Sequence, residues 1–346
     1  MDKAFKETQV ENLVQDDLSP QQLQARVESR VRNMRTLPAM PEIVLRIMKL
    51  VPDPNSSAQE IEGLLLSDAA IVEKLLQVIN APFFGGAGHK GDWTLKEAIV
   101  RMGLQKVRAV AQQVKMMNTF AKPEESKFDL RRFWEHSAGC SMLADKIVDG
   151  ELVEFEGTVE FDDYWIGTIL HDVGKLILGL FFWDFFEVVL NNMQGTGAGA
   201  VEAKEAVEAT EKEVEEGEEH PASDDPAPQP GMISFREAEK KMADTPHHEL
   251  VGQLMLMKSN IKEELVGVVQ SHHEITASSS TLVRLIHLVD NISKDFGMGY
   301  IEGEPSAYDP QVLETFGLDE DKLTTLKKTL SEFIVPEIKA MVGRCL

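Results

Sequence analysis

The stretch TILHDVGKLIL, Thr168–Leu178, decides how this chain is read. It has the composition of a buried helix. Trp165, Ile169 and Leu176 stand seven, three and four residues from position 172, so they share one helical face with it. The residue at 172 is nevertheless Asp172, with His171 beside it and Lys175 one turn later. A charge in a core-facing slot costs several kcal/mol, on the order of 3–5, unless something pairs with it. The chain must therefore bring a partner to that slot.

The same kind of interruption recurs along the chain. His136 falls in the stripe Phe133, Cys140, Leu143 and Ile147. His248 lines up with Val251 and Met255. His272 continues Leu265, Val268 and Val269, and His273 continues Val266 and Val269. Asp290 lines up with Val283 and Ile286. Each lies on the side of its helix that faces other helices. A lone histidine on such a face is more often a hydrogen-bonded core residue than a ligand. Several histidines and aspartates converging from separate helices are the usual way for a helical fold to build a metal site.

Around these residues almost every patterned segment has the 3.6-residue repeat, so the expected fold class is all-α. Residues 1–19 are expected to form a tail. Residues 20–127 are expected to form an N-terminal helical subdomain of five or six short helices, with Ser19 and Pro20 opening the first and Gly103 separating the last two. A second helical subdomain spans 128–300, and further helices fill 301–346. It is interrupted at 195–232 by a segment rich in Glu, Ala, Gly and Pro with no aromatic residue. Such a composition buries too little to offset ordering, so the segment is expected to be a disordered acidic insertion.

Bulk properties narrow the function. The net charge is −23 over 346 residues, and 43% of the residues are hydrophobic. Residues 195–230 hold nine Glu, two Asp and two Lys, a local charge of −9. Nucleic acid is excluded as a default partner, because phosphate contact needs a basic surface. Two distant cysteines, Cys140 and Cys345, make no disulfide framework and point to a reducing compartment. The polar start of the chain has no signal-peptide pattern. The apolar run LILGLFFWDFFEVVL is broken by Asp184 and too short to span a membrane. The expectation is a cytoplasmic protein with no membrane partner.

The polar residues occur in a telling order: His136, then HDVGK at 171–175, HELVG at 248–252, HHE at 272–274, and Asp290 in LIHLVD. This order resembles the HD superfamily of metal-dependent phosphohydrolases. The region LPAMPEIVLRIMKLVPDPNSSAQEIEGLLLSDAAIVEKLLQVINAPFFG, followed by TLKEAIVRMGLQKVRAVA, is similar to the HDOD family, the HD-related output domains of bacterial signal transduction. Many members of that family have lost the metal-binding residues. The resemblance implies that this chain keeps them: His136, His171, Asp172, His248, His272, His273 and Asp290 match the ligand positions of the related HD-GYP phosphodiesterases. It implies that Asp172 bridges two divalent transition metals, iron, manganese or zinc. His136, His171 and Asp290 would complete one, and His248, His272 and His273 the other. Lys175 matches a lysine that faces the substrate phosphate, and with Asp172 forms the expected catalytic pair. The GYP signature is absent, since ITASSSTL follows HHE, which speaks against specificity for cyclic di-GMP.

Two functions follow as expectations. One is a metal-dependent phosphohydrolase or phosphodiesterase acting on a nucleotide or signalling phosphoester. The other is a non-catalytic output module that binds a signalling protein or a nucleotide ligand. Periodicity alone allows His247 in place of His248, whereas the distance to Gly252 favours His248. His287 shares a face with Arg284 and Asn291 and is expected on a solvated face. Glu249 and Glu274 are either partners that orient imidazoles or surface charges. His89 and His220 are expected in exposed loops. Asn80, Phe84 and Gly85 read as a helix stop with packing.

Overall fold

The computed structural model describes residues 29, 69–84, 93–120, 126–195, 231–242, 247–258 and 261–345. Among them are thirteen α-helices and no strand, so the fold is all-α as expected. The tail, the helices expected within 20–68 apart from residue 29, the interior of the acidic segment, Gly85, His89 and His220 lie outside the described residues.

Helix α1, Ala69–Ile79, leads into the 3-10 turn Pro82–Phe84. Asn80 fixes that stop: its amide donates to the carbonyls of Leu76 and Trp93, and its oxygen accepts from the Trp93 amide. Helix α2, Leu95–Met102, opens with a reciprocal capping box between Thr94 and Glu97. Gly103, at φ 82°, ends α2 and starts α3, Leu104–Thr119, because a side chain there would be strained. The break expected at Gly103 is therefore present.

The site-bearing part begins with α4, Leu130–Asp149, capped by the Asp129 carboxylate on the Arg132 amide. Then come α5, Phe161–Leu170, α6, Val173–Phe181, and α7, Trp183–Met193. After the acidic segment follow α8, Phe235–Met242, α9, His247–Lys258, α10, Glu263–Ser271, α11, Thr281–Asp295, and α12, Pro310–Thr315. The last helix, α13, Glu320–Cys345, contains Pro336 and packs on both α4 and α1. It thereby joins the first and second regions. Arg108 of α3 adds an ion pair to Asp162 of α5 at 3.1 Å.

TILHDVGKLIL departs from the single helix expected of it. The helix stops at Leu170 and restarts at Val173. Asp172, at φ −103° and ψ 13°, occupies the N-cap position of α6, yet its side chain does not cap the helix. The carboxylate is left free to turn inward. No Gly or Pro marks this break in the sequence.

Packing holds the break in place. Helix α6 lies against α9 so closely that a Cβ on Gly174 would overlap the His248 carbonyl. Gly252, on the α9 side, is nearly as tight: a Cβ there would meet Val269 at 2.6 Å and the Gly174 amide nitrogen at 3.2 Å. Behind α6 an aromatic cluster fills the core, with Phe128 stacked on Tyr300 at 5.2 Å and Phe186 against Phe235 at 5.2 Å.

The acidic segment leaves and re-enters the fold at one place. The Ile233 amide donates to the Met193 carbonyl at 3.1 Å, and a Cβ on Gly195 would lie 3.9 Å from the Gly231 oxygen.

Candidate metal centre

The seven side chains singled out in the sequence lie together in the core. His136 comes from the middle of α4 and Asp290 from the middle of α11. His171 and Asp172 sit in the break between α5 and α6. His248 is in the first turn of α9, and His272 and His273 follow the end of α10. His136, His171, Asp172, His248, His272 and Asp290 are at most 3% exposed, and only the His273 side chain, at 8%, is more open.

Each of four imidazoles is held by its Nδ1. His171 Nδ1 donates to the Thr168 carbonyl at 2.7 Å, and Thr168 is itself tied to Ser141 of α4 at 2.9 Å. His136 Nδ1 lies 3.2 Å from the Met298 carbonyl and 3.2 Å from Ser293 Oγ. His272 Nδ1 lies 3.2 Å from each of the Val268 and Val269 carbonyls. The His248 Nδ1 is bound by the Glu239 carboxylate, which also accepts from the His248 amide at 3.0 Å. A proton on Nδ1 leaves Nε2 as a lone pair, and all four Nε2 atoms point to the same place.

That arrangement leaves electron pairs facing one another. His136 Nε2 and His171 Nε2 are 3.2 Å apart. Both are 3.5 Å from Asp172 Oδ2, and 3.3 and 3.9 Å from Asp290 Oδ1. On the other side, His248 Nε2 and His272 Nε2 lie 3.7 and 3.5 Å from Asp172 Oδ1. His273 Nδ1 lies 3.8 Å from Asp290 Oδ2. Asp172 Oδ1, Asp290 Oδ1 and the Nε2 atoms of His248, His272 and His273 are buried without a hydrogen bond. Each such orphan costs about 1–3 kcal/mol, so five in one place call for a cation.

The donors fall into two groups whose ligand atoms lie within 4.8 Å of one another: Asp172 with His248, His272 and His273, and His136 with Cys140 and His171. Asp172 reaches both groups, one oxygen toward each. The nitrogen and carboxylate donors suit divalent transition metals. The electrostatics set the imidazoles apart from one another. Burial acts to lower the His136 pKa, but Cys140 and Asp290 push it up to about 10. Burial, with His272 and His136 nearby, takes His171 down to about 3. Despite burial, which acts to raise them, Asp172 and Asp290 are held well below the usual carboxylate range, by Lys175 and Lys294 foremost.

The lysines complete the charge pattern. Lys175 Nζ donates to Asp172 Oδ2 at 2.6 Å and stands 5.0 Å over the Phe235 ring. Lys294 Nζ donates to Asp290 Oδ2 at 2.8 Å and lies 3.9 Å from Glu304. Each aspartate thus gives one oxygen to a lysine and keeps one free of it.

Some expectations need correcting, and some residues were overlooked. His287 is not on a solvated face. It is 3% exposed, its Nδ1 donates to the His272 carbonyl at 2.8 Å, and its Nε2 accepts from the Asp309 amide at 3.0 Å. The loop before α12 covers that face of α11. Neither Glu249 nor Glu274 touches an imidazole: both face Arg236, and Glu274 also faces Lys240. The carboxylate that orients a histidine is Glu239. It interrupts the stripe Phe235, Ala238 and Met242, the same signal that exposed Asp172. Lys294 lies one turn beyond Asp290 and was legible in the same way.

A helical bundle with clustered histidines and aspartates at its centre defines the class: an all-α protein with a candidate metal centre. A sequence model of the HDOD domain matches residues 37–215, about half of the chain, and the chain belongs to the HDOD family. An HDOD domain protein of unknown function from Geobacter sulfurreducens has the same fold, with 21% identity, a TM-score of 0.65, and 92% of this chain and 99% of that one covered. A candidate metal-dependent phosphohydrolase from Shewanella amazonensis aligns with 13% identity and a TM-score of 0.55, over 94% of this chain and 99% of that one. A candidate signal transduction protein from Marinobacter aquaeolei aligns with 14% identity and a TM-score of 0.60, over 93% of this chain and 65% of that one. None of the curated proteins matches the chain. No helix among the described residues is long and apolar enough to cross a membrane.

Proposed function

We propose that this HDOD protein carries a two-metal centre and hydrolyses a phosphoester, with a nucleotide or a signalling phosphoester as substrate class. The reading rests on one observation above the others. Four Nδ1-anchored imidazoles aim their Nε2 atoms at two carboxylates that each keep an oxygen free of lysine. His136, His171 and Asp290 would hold one metal, His248, His272 and His273 the other, and Asp172 both. Two such metals supply positive charge to a phosphoester and bring the pKa of water near neutrality. Lys175 adds a fixed ammonium beside Asp172, suited to a phosphate oxygen. Glu239 and the carbonyls of Thr168, Met298, Val268 and Val269 hold the Nδ1 protons and turn the Nε2 atoms toward the two carboxylates. Subdomains at 20–127 and 128–300 are proposed on the same footing, with the site wholly in the second.

Burial of the donors favours a second reading. With Asp172 1% exposed and His171, His272 and Asp290 at 0%, a metal here would also cross-link α4, α5, α9, α10 and α11. The protein would then be a metal-stabilised output module that binds a protein partner or a ligand.

One experiment separates them. Bound metal is measured by elemental analysis in protein purified without chelator, beside Asp172→Ala, and both are assayed on cyclic and linear nucleotides. The enzyme reading expects about two metals per chain, turnover in the wild type and loss of both in the variant. Metal with a raised unfolding temperature but no turnover favours the module. A wild type that stays empty after metal is added back sinks both metal readings.

A further inference from the structure

Cys140 lies one helical turn after His136 on α4 and is fully buried. A buried cysteine is usually a small apolar filler. This one faces the donors. Its Sγ is 3.8 Å from His136 Nε2, the nitrogen that points into the centre, and within 4.8 Å of the His171 ligand atom. The thiol also donates to the carbonyl of Val289, at 3.7 Å, one residue before Asp290. Asp290 Oδ1, buried and without a hydrogen bond, lies 3.3 and 3.9 Å from the same two imidazoles.

We propose that Cys140 is a ligand of the metal held by His136, His171 and Asp290, and that its sulfur biases this position toward zinc or iron over manganese or magnesium. The inference rests on the two-metal reading above. A tetrahedral zinc with nitrogen at about 2.0 Å and sulfur at about 2.3 Å sets nitrogen–nitrogen edges near ~3.4 Å and nitrogen–sulfur edges near ~3.6 Å. The corresponding separations here are 3.2 Å between the imidazoles and 3.8 Å from imidazole to sulfur. These two edges fit one ion, which with Asp172 and Asp290 would have five protein ligands. His136 and Cys140 at i and i+4 share one face of α4, which makes the sulfur part of the same surface that presents the imidazole. The His248 group has no sulfur among its donors. The two positions therefore differ in softness, and soft ligands select thiophilic metals.

The full chain is stripped with chelator and reloaded with cobalt(II), and its absorption spectrum is recorded beside Cys140→Ser and Cys345→Ser. The expected result is a near-ultraviolet sulfur-to-cobalt charge-transfer band in the wild type. The band persists in Cys345→Ser and is lost in Cys140→Ser, which retains cobalt at the His248 position. X-ray absorption on zinc-loaded wild type gives a check that needs no variant: a zinc–sulfur distance of about 2.3 Å, at half a sulfur per zinc when both positions fill. Cobalt bound with ligand-field bands alone, or a band that survives in Cys140→Ser, overturns the proposal and leaves the two-metal reading standing. A wild type that takes up no cobalt overturns both.

Discussion

Glu239 grips His248 at two points, the backbone amide and Nδ1. Glu239→Gln keeps the shape but removes the charge that makes His248 a strong donor. Metal affinity should fall about 10–100-fold, measured by chelator competition, with the unfolding temperature of the metal-free protein little changed. Asp172→Ala, by contrast, should abolish binding at both positions. The residues legible in the sequence were those whose polarity contradicts an apolar stripe: Asp172, His136, His248, His272, His273 and Asp290. Glu239 contradicts a stripe too, but it stands among the charges of SFREAEKKM, which look like a solvated face. Cys140 was read as apolar because cysteine fits a stripe whether or not it binds anything. For the metal roles themselves, the resemblance to HD-type enzymes supplied what residue spacing alone left open.

At the scale of the helices, the break at His171 and Asp172 was hidden because the local sequence favours a continuous helix and only packing interrupts it. Gly174 is the residue that permits the contact of α6 with α9. Gly174→Ala forces the two helices apart where Asp172 and His248 meet. A destabilisation of about 1–3 kcal/mol is expected, together with loss of bound metal, read by chemical denaturation and elemental analysis. A variant that keeps full metal content would show that the centre tolerates separation of these helices. His287 misled for a different reason: Arg284 and Asn291 flank it on one face, yet the chain after α11 folds back over that face. Its neutral ring donates at Nδ1 and accepts at Nε2. His287→Ala should cost about 1–3 kcal/mol by leaving the His272 carbonyl and the Asp309 amide unpaired, measured by thermal or denaturant unfolding.

For the whole molecule, the all-α class was plain from the 3.6-residue repeat, whereas the bridging of α13 across α1 and α4 was not, since nothing local in a helix says which neighbours it will join. The HDOD match ends at residue 215. It therefore contains His136, His171, Asp172 and Lys175 but not His248, His272, His273 or Asp290. The C-terminal half of the centre is set by this chain's own geometry around Asp172 and Asp290. The acidic segment between the halves carries −9 of the total −23. Joining Gly195 directly to Gly231 should leave metal content unchanged and shift stability by no more than about 2–3 kcal/mol, the closure entropy of a loop of that length. Unfolding midpoints and elemental analysis test this.

The meeting of Gly195 and Gly231 has a use outside the intact chain. Scission anywhere between them yields two pieces, neither of which holds the full proposed donor set of either metal position. The first keeps His136, Cys140, His171 and Asp172, and the second keeps His248, His272, His273 and Asp290. Because the cut ends already lie side by side, the pieces need no new geometry to find each other again. On the two-metal proposal, metal would become the glue of a split protein, and transition-metal concentration would set how tightly the halves stay together.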